Sequence, residues 1–271
     1  MTEILAIATV KGGVGKTTIA LHLAGALADL GHRVLLVDLD QQGNLSSVFI
    51  EDPYGLAPTV YDIITTPDIP TREAIRTTAF RGIDLLPANL QLSRVEFQLA
   101  GDNDAQYYVS DKLKEVDGYD VMILDTPPSS GLMTISALVA ASGVIIPVEC
   151  QPWATLGSAL LLEIIEKVRR RANPRLRVLG YVINKYDLRR GLETSYLDAL
   201  RAKLGDQVFR TIIRDSVKYP EAAMMKSPIT LYQPRSEQAE TFRRLAAEVL
   251  DRTRALAEGD SLSTATRDKR T

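Results

Sequence analysis

The sequence predicts a doubly wound α/β protein: a mostly parallel sheet with helices on both faces. Three observations carry this. Continuous apolar, β-branched runs recur along the chain, as strands buried on both faces require. Helical stretches separate them, and strand–helix alternation builds right-handed βαβ units. The chain has 271 residues, 45% of them apolar and 24% charged, which suits one large α/β domain or at most two small ones.

The elements follow in order. Ile4–Val10 reads as the first strand, and Lys11–Lys16 is glycine-rich. Thr17–Leu30 reads as a helix with Ile19, Leu23, Leu27 and Leu30 at helical spacing, closed by Gly31. Arg33–Asp38 is a second buried strand, and the pattern returns at Ile83–Leu86, Val121–Leu124, Val144–Val148 and Val178–Ile183. Helices are expected over Thr155–Arg171 and Glu193–Leu204. Pro53–Pro70 is rich in turn residues around one short helix near Thr59–Ile64. A last helix, about Ser236–Ala257, carries Phe242, Leu245, Val249, Leu250 and Leu256 on the face expected to dock on the sheet. The expected organisation is one unit over residues 1–258 and a polar, disordered tail over 259–271, where Leu262 is the only large apolar residue.

Composition excludes several classes. The net charge of −2 rules out a uniformly basic nucleic-acid coat, though not a local patch. The single cysteine, Cys150, excludes an internal disulfide and a cysteine-rich metal site, so a reducing, cytoplasmic setting is expected. Cys150 itself is expected as a buried strand-end residue. No apolar run approaches the ~20 residues of a membrane span. Met1-Thr2-Glu3 runs into the first strand and leaves no room for a signal peptide.

The strongest local signal is Val10-Lys11-Gly12-Gly13-Val14-Gly15-Lys16-Thr17-Thr18, placed between a strand and a helix as a P-loop requires. Glycines let successive N–H groups converge on phosphate oxygens, and the helix N-terminus adds donors and positive potential. Lys16 is placed to contact the β- and γ-phosphates, and the Thr17 hydroxyl to ligate Mg²⁺. Two carboxylate segments follow strands: Val37-Asp38-Leu39-Asp40-Gln41-Gln42-Gly43-Asn44 and Val121-Met122-Ile123-Leu124-Asp125-Thr126-Pro127-Pro128. Such positions lie at the ligand edge of a parallel sheet. Asp38 and Asp40 share a strand face if the strand continues that far. Asp125 is placed to hold Mg²⁺ directly or through water.

The loop departs from the plain pattern, with Val10 in place of its first glycine and an additional lysine, Lys11. Lys-Gly-Gly-Val-Gly-Lys-Thr-Thr resembles in full the signature of the deviant Walker A family, which includes ParA partition ATPases, MinD and the nitrogenase iron protein. The resemblance covers about Ile4 to Leu256. It implies that Lys11 reaches across an ATP-dependent homodimer to the partner's nucleotide, that Asp40 positions the attacking water, and that Asp38 neighbours the magnesium. For Asp38 a structural carboxylate, in a helix cap or a salt bridge, is the alternative. ParA proteins carry a proline where this chain has Gln41, which bears on the rate of hydrolysis. The Asp-Thr-Pro-Pro segment matches a γ-phosphate-sensing switch. Asn184, at the end of a strand, corresponds to an adenine-reading position in MinD-like relatives and varies in ParA relatives. The loop Ile213–Val217, with Asp215, resembles a second base-side segment.

From Lys167 to Arg190 nine basic residues stand against one acidic residue. By resemblance, Arg189, Arg190 and Lys218 are DNA-contacting positions that bind phosphates without reading bases. The function implied is an ATPase using ATP and Mg²⁺ that dimerises and binds double-stranded DNA non-specifically on the nucleoid. Release follows when a ParB-like or cargo-adaptor protein stimulates hydrolysis. The cargo is a chromosome, a plasmid or a protein assembly. A MinD-like membrane cycle needs a basic amphipathic tail that Gly259–Thr271 does not offer. An iron-protein role needs two cysteines per subunit.

Overall fold

The computed structural model describes residues 2–52, 55–151 and 154–267, the side chains at 154–158 and 257–267 excepted. In chain order, β1 (Glu3–Ile7), α1 (Lys16–Asp29) and β2 (Val34–Asp38) come first. α2 (Asn44–Phe49), α3 (Val60–Thr65) and α4 (Thr71–Ala74) precede β3 (Arg76–Thr77) and β4 (Ile83–Leu86). α5 (Val95–Gln98) and α6 (Tyr108–Lys114) lead to β5 (Val121–Asp125), and α7 (Leu132–Ala140) leads to β6 (Gly143–Val148). α8 (Ala154–Arg171), β7 (Arg177–Tyr186), α9 (Gly191–Leu204) and β8 (Val208–Arg214) continue the alternation. α10 (Lys218–Met224), α11 (Ile229–Tyr232) and α12 (Glu237–Arg267) follow.

The strands form one sheet in the order β3-β4-β2-β5-β1-β6-β7-β8. Every pairing is parallel except β3 with β4. Alternation along each strand divides the core in two. Val34, Leu36, Val121 and Ile123 face α1 and α12, where Leu23, Leu27, Phe242 and Leu245 are fully buried. Leu35, Val37, Met122 and Leu124 face the opposite layer with Ile63, Val109, Leu138 and Ile165. α1 is apolar nearly all round because α12 covers its outer side. The edge of β8 is blunted by α12: Glu248 accepts the Arg210 and Thr211 N–H groups at 2.8 and 3.0 Å.

Several expectations change. β1 ends at Ile7, so Ala8, Thr9 and Val10 belong to the phosphate loop. β2 ends at Asp38, which leaves Asp40 in the turn beyond it. Ile213 and Arg214 are strand residues of β8, and the loop begins at Asp215, whose N–H still bonds Tyr186 O at 3.1 Å. α12 continues to Arg267, past the expected end near Ala257 into the expected tail. Among the described residues no helix is long and apolar enough to cross a membrane.

Candidate functional site

The site lies at the carboxyl ends of the three central strands. Asp125 of β5 pairs in register with Ile7 of β1 on one side and with Asp38 of β2 on the other. The loop leaving β1 therefore starts beside two carboxylates, at the crevice where open α/β sheets hold ligands.

Residues 11–18 form a bed of backbone donors. Gly13 and Gly15 take left-handed φ values of 77° and 89°, which side chains disfavour. Gly15 is the N-cap of α1 and offers no side-chain cap. The first helical bond is Ile19 N–H to Gly15 O at 2.9 Å, so the amides of Lys16, Thr17 and Thr18 have no helical partner. The Asn184 amide donates to Val14 O at 2.7 Å and so holds the loop from below. A Cβ on Gly15 would stand 2.2 Å from Asn184 Nδ2, a second reason for glycine there. The structure thus places Asn184 under the loop, 3% exposed, with its donor occupied by the main chain.

Lys16 points inward and is 6% exposed. Its ammonium makes one long bond, 3.5 Å to Lys11 O. Burial lowers its pKa, while Asp125 and Asp40 oppose that shift. Asp125 is fully buried, and neither carboxylate oxygen meets a hydrogen-bond donor with good geometry. Burial first, then repulsion from Asp38, push its pKa well above the ordinary carboxylate range; the Thr17 hydroxyl and Lys16 pull it back. Asp38 is equally buried but satisfied. Oδ2 accepts Ser46 N–H at 2.9 Å and Ser46 Oγ–H at 2.7 Å, and Oδ1 accepts Asp40 N–H at 3.1 Å. It caps the first turn of α2, the structural alternative named for it. Burial raises its pKa to about 6 against these hydrogen bonds. Asp40 Oδ1 accepts Gln42 N–H at 3.0 Å, and Oδ2 has no protein donor among the described residues.

Lys11 is turned onto its own chain. Its ammonium lies 2.9 Å from Gln151 Oε1 and 3.3 Å from Glu149 Oε2. Lys185 joins the same group, donating to Gly13 O and standing 3.4 Å from Glu149 Oε1. Sequence reasoning missed Glu149 and Lys185. The available signal was a carboxylate just past an apolar strand, as at Asp38 and Asp125. Lys11, Gly12, Gly13, Glu149, Lys185 and Asp215 line one cavity of about 430 Å³, which brings Asp215 to the loop. Cys150, also on that wall, is buried, and burial pushes its thiol pKa up to about 11, away from thiolate character.

Of the basic positions, Arg190 borders that same cavity together with Glu193, whereas Arg189 and Lys218 do not line it. Arg189 forms a two-pronged pair with Asp187 at 2.9 Å for each contact, and holds that carboxyl down at about 2. Arg190 reaches Glu193 at 3.2 Å. Both side chains are exposed, but the loop's charge is internally balanced. Lys218 opens α10 and forms no ion pair among the described residues. Beside them a cavity of about 290 Å³ is bordered by Leu188, Tyr219, Arg210, Arg214 and Arg244. Of these arginines, Arg214 pairs with Glu237 at 2.9 Å, whereas Arg210 stands 3.8 Å from Glu248 and, among the described residues, Arg244 bonds only the Thr241 hydroxyl.

A family model described as an AAA domain matches residues 2–178. The chain is 41% identical over 249 residues to the chromosome-partitioning ATPase Soj of Thermus thermophilus, spanning 92% of this chain and 95% of that protein. It is 37% identical over 250 residues to the sporulation initiation inhibitor protein Soj of Bacillus subtilis, spanning 92% and 98%. Among solved structures, it superposes with a TM-score of 0.82 on the cobyrinic acid a,c-diamide synthase of Mycobacterium smegmatis with bound ATP analogue and magnesium. That match has 33% identity and covers 92% of this chain and 94% of that one. The complete Lys11–Thr18 loop, the paired strand-end aspartates and these full-length likenesses agree: the chain belongs to the ParA/MinD-type family of partition ATPases.

Proposed function

We propose that this chain binds ATP with Mg²⁺ on the Lys11–Thr18 loop, closes into a homodimer, binds duplex DNA without sequence preference and leaves it after hydrolysis. The observation that carries the nucleotide part is Asp125: a buried carboxylate that meets no hydrogen-bond donor of good geometry, with the Thr17 hydroxyl and the under-bonded Lys16 beside it. A cation shared with phosphate oxygens fits that vacancy in bonding. Among the described residues no group of three or more acidic, histidine or cysteine ligands forms a cage. Magnesium is commonly held by one or two carboxylates with substrate phosphates, and needs none. When bound it supplies charge neutralisation at the β- and γ-phosphates. Thr17 and Asp125 would hold it, with Asp38 fixing the turn behind them.

The chain's own groups do the rest. The free amides of residues 16–18 and the Lys16 ammonium orient the phosphates and stabilise charge as it develops. Asp40 Oδ2 is available to align a water for attack on the γ-phosphate. Lys11 would exchange Glu149 and Gln151 for the partner's phosphates, which couples dimerisation to chemistry.

For DNA, Arg189, Arg190 and Lys218 are the proposed contacts, with Arg210 and Arg244 beside them. Phosphate oxygens would replace Asp187 and Glu193 as acceptors. A ParB-like or adaptor protein is the proposed trigger of hydrolysis, and the nucleoid the proposed location. Three residues from each subunit give a log–log salt slope of about −5, at roughly −0.9 per contact. The test is binding to unrelated duplexes at several salt concentrations. ATP-dependent, sequence-independent binding that Arg189→Glu removes, with ATP-dependent dimerisation intact, supports the reading. Equal binding without nucleotide, or sequence-specific binding, contradicts it.

A further inference from the structure

The segment after Asp125 is tied down at both ends. The Thr126 hydroxyl donates to Ile7 O at 2.9 Å, and the Thr134 hydroxyl donates to Ser129 O at 2.8 Å. Between them Pro127 and Pro128 contribute no N–H, and Pro128 lies against Gly12, 3.8 Å from where a Cβ on that glycine would be. This segment therefore runs alongside the phosphate loop.

α7 continues from it and begins without a cap of its own. Gly131 is the N-cap residue, and the first turn holds no acidic side chain. The acceptor comes from a distant part of the chain. Glu96 of α5 receives the Leu132 N–H on Oε1 at 2.9 Å. A Cβ on Gly131 would stand 1.9 Å from that oxygen and 2.9 Å from the Glu96 carboxyl carbon. The φ of Gly131 is −78°, open to any residue. A side chain at 131 would therefore displace the exposed Glu96 carboxylate, so this contact is open only beside a glycine.

We infer that Glu96 is a positioning residue for the segment between Asp125 and α7, setting where Thr126–Ser130 lies against the phosphate loop. The inference rests on the nucleotide site proposed above. A carboxylate over a helix N-terminus satisfies an orphan N–H and opposes the positive end of the dipole. Without it the first turn of α7 opens, and the anchor between Thr134 and Ser129 goes with it.

Hydrogen exchange of the nucleotide-free protein reads the cap directly. In Glu96→Ala the amides of Leu132 to Thr134 are expected to exchange about fivefold faster, the ratio that an N-cap of typical strength gives. Glu96→Gln keeps a carbonyl acceptor and is expected to restore most of the protection. Phe97, 88% exposed on the same short helix, is the control, and Phe97→Ala is expected to change nothing. With Mg-ATP, Glu96→Ala is expected to lower kcat about fivefold at unchanged KM, because Lys16 and the loop amides are untouched. Unchanged exchange at Leu132–Thr134, or KM rising in step with a falling kcat, overturns the inference. A wild-type chain without ATP turnover removes the nucleotide reading instead, while the exchange data still decide whether Glu96 caps α7.

Discussion

Replacing Asp125 with asparagine separates the folding role of this residue from its functional one. Both carboxylate oxygens are buried without a good donor. Burial and the neighbouring Asp38 disfavour its charge more than Thr17 and Lys16 favour it. Asp125→Asn removes the charge at nearly constant volume and leaves an amide that is still poorly bonded. Burying an unpartnered polar group costs about 1–3 kcal/mol and an unpaired charge more. The nucleotide-free variant should therefore be more stable than wild type by about 2 kcal/mol. For a chain of this size that is a rise in Tm of about 4–8 °C. The same change deletes the proposed magnesium ligand, so the stabilisation conferred by Mg-ATP should shrink. The assay is thermal unfolding by circular dichroism at pH 7, in chelator and in Mg-ATP. A variant that melts below wild type in chelator would show that the carboxylate is held by contacts after all. An undiminished Mg-ATP shift would remove Asp125 from the metal site.

Asn184→Ala deletes the donor to Val14 O and should destabilise the fold by about 1–2 kcal/mol. It should also weaken ATP binding about tenfold; unchanged affinity in a nucleotide titration would mean that the loop holds its shape alone. His22 accepts Ile229 N–H at 3.0 Å as a neutral ring, and burial depresses its pKa to about 3. Its contribution is therefore present above the unfolded pKa near 6.5 and is lost as pH falls towards 3. Between pH 7 and 5 this amounts to about 2 kcal/mol, and His22→Leu should flatten that part of the stability profile measured by denaturant titration. An equally steep profile in the variant would assign the loss to other groups.

The legible parts of the fold were those with local causes. Continuous apolar runs marked β1, β2, β4, β5, β6 and β7, because strands covered on both faces have no polar alternation to hide them. β8 was not read as a strand: Arg210 and Arg214 are exposed at its edge, and what closes it is Glu248, 34 residues beyond Arg214. α7, which is almost wholly apolar, lacks the amphipathic spacing that marks a helix, and its cap lies 36 residues away at Glu96. In the site, the loop glycines and Lys16 were readable from spacing alone. The difference between Asp38 and Asp125 was not. Both end apolar strands, and only the fold shows that Ser46 satisfies Asp38 while Asp125 meets no donor of good geometry. Asn184 and Lys185 likewise meet the loop only because β7 delivers them beneath Val14 and Gly13.

The proposed nucleotide-dependent dimer is decided by molar mass, measured by size exclusion with light scattering in Mg-ATP. Asp40→Ala, which keeps the phosphate loop and removes the carboxylate proposed to align water, is predicted to elute at twice the monomer mass. Lys11→Ala, which frees Glu149 and Gln151 but removes the cation proposed to cross the interface, is predicted to remain a monomer under the same conditions. A monomeric Asp40→Ala protein in saturating ATP, or a Lys11→Ala protein that dimerises as well as wild type, would contradict it.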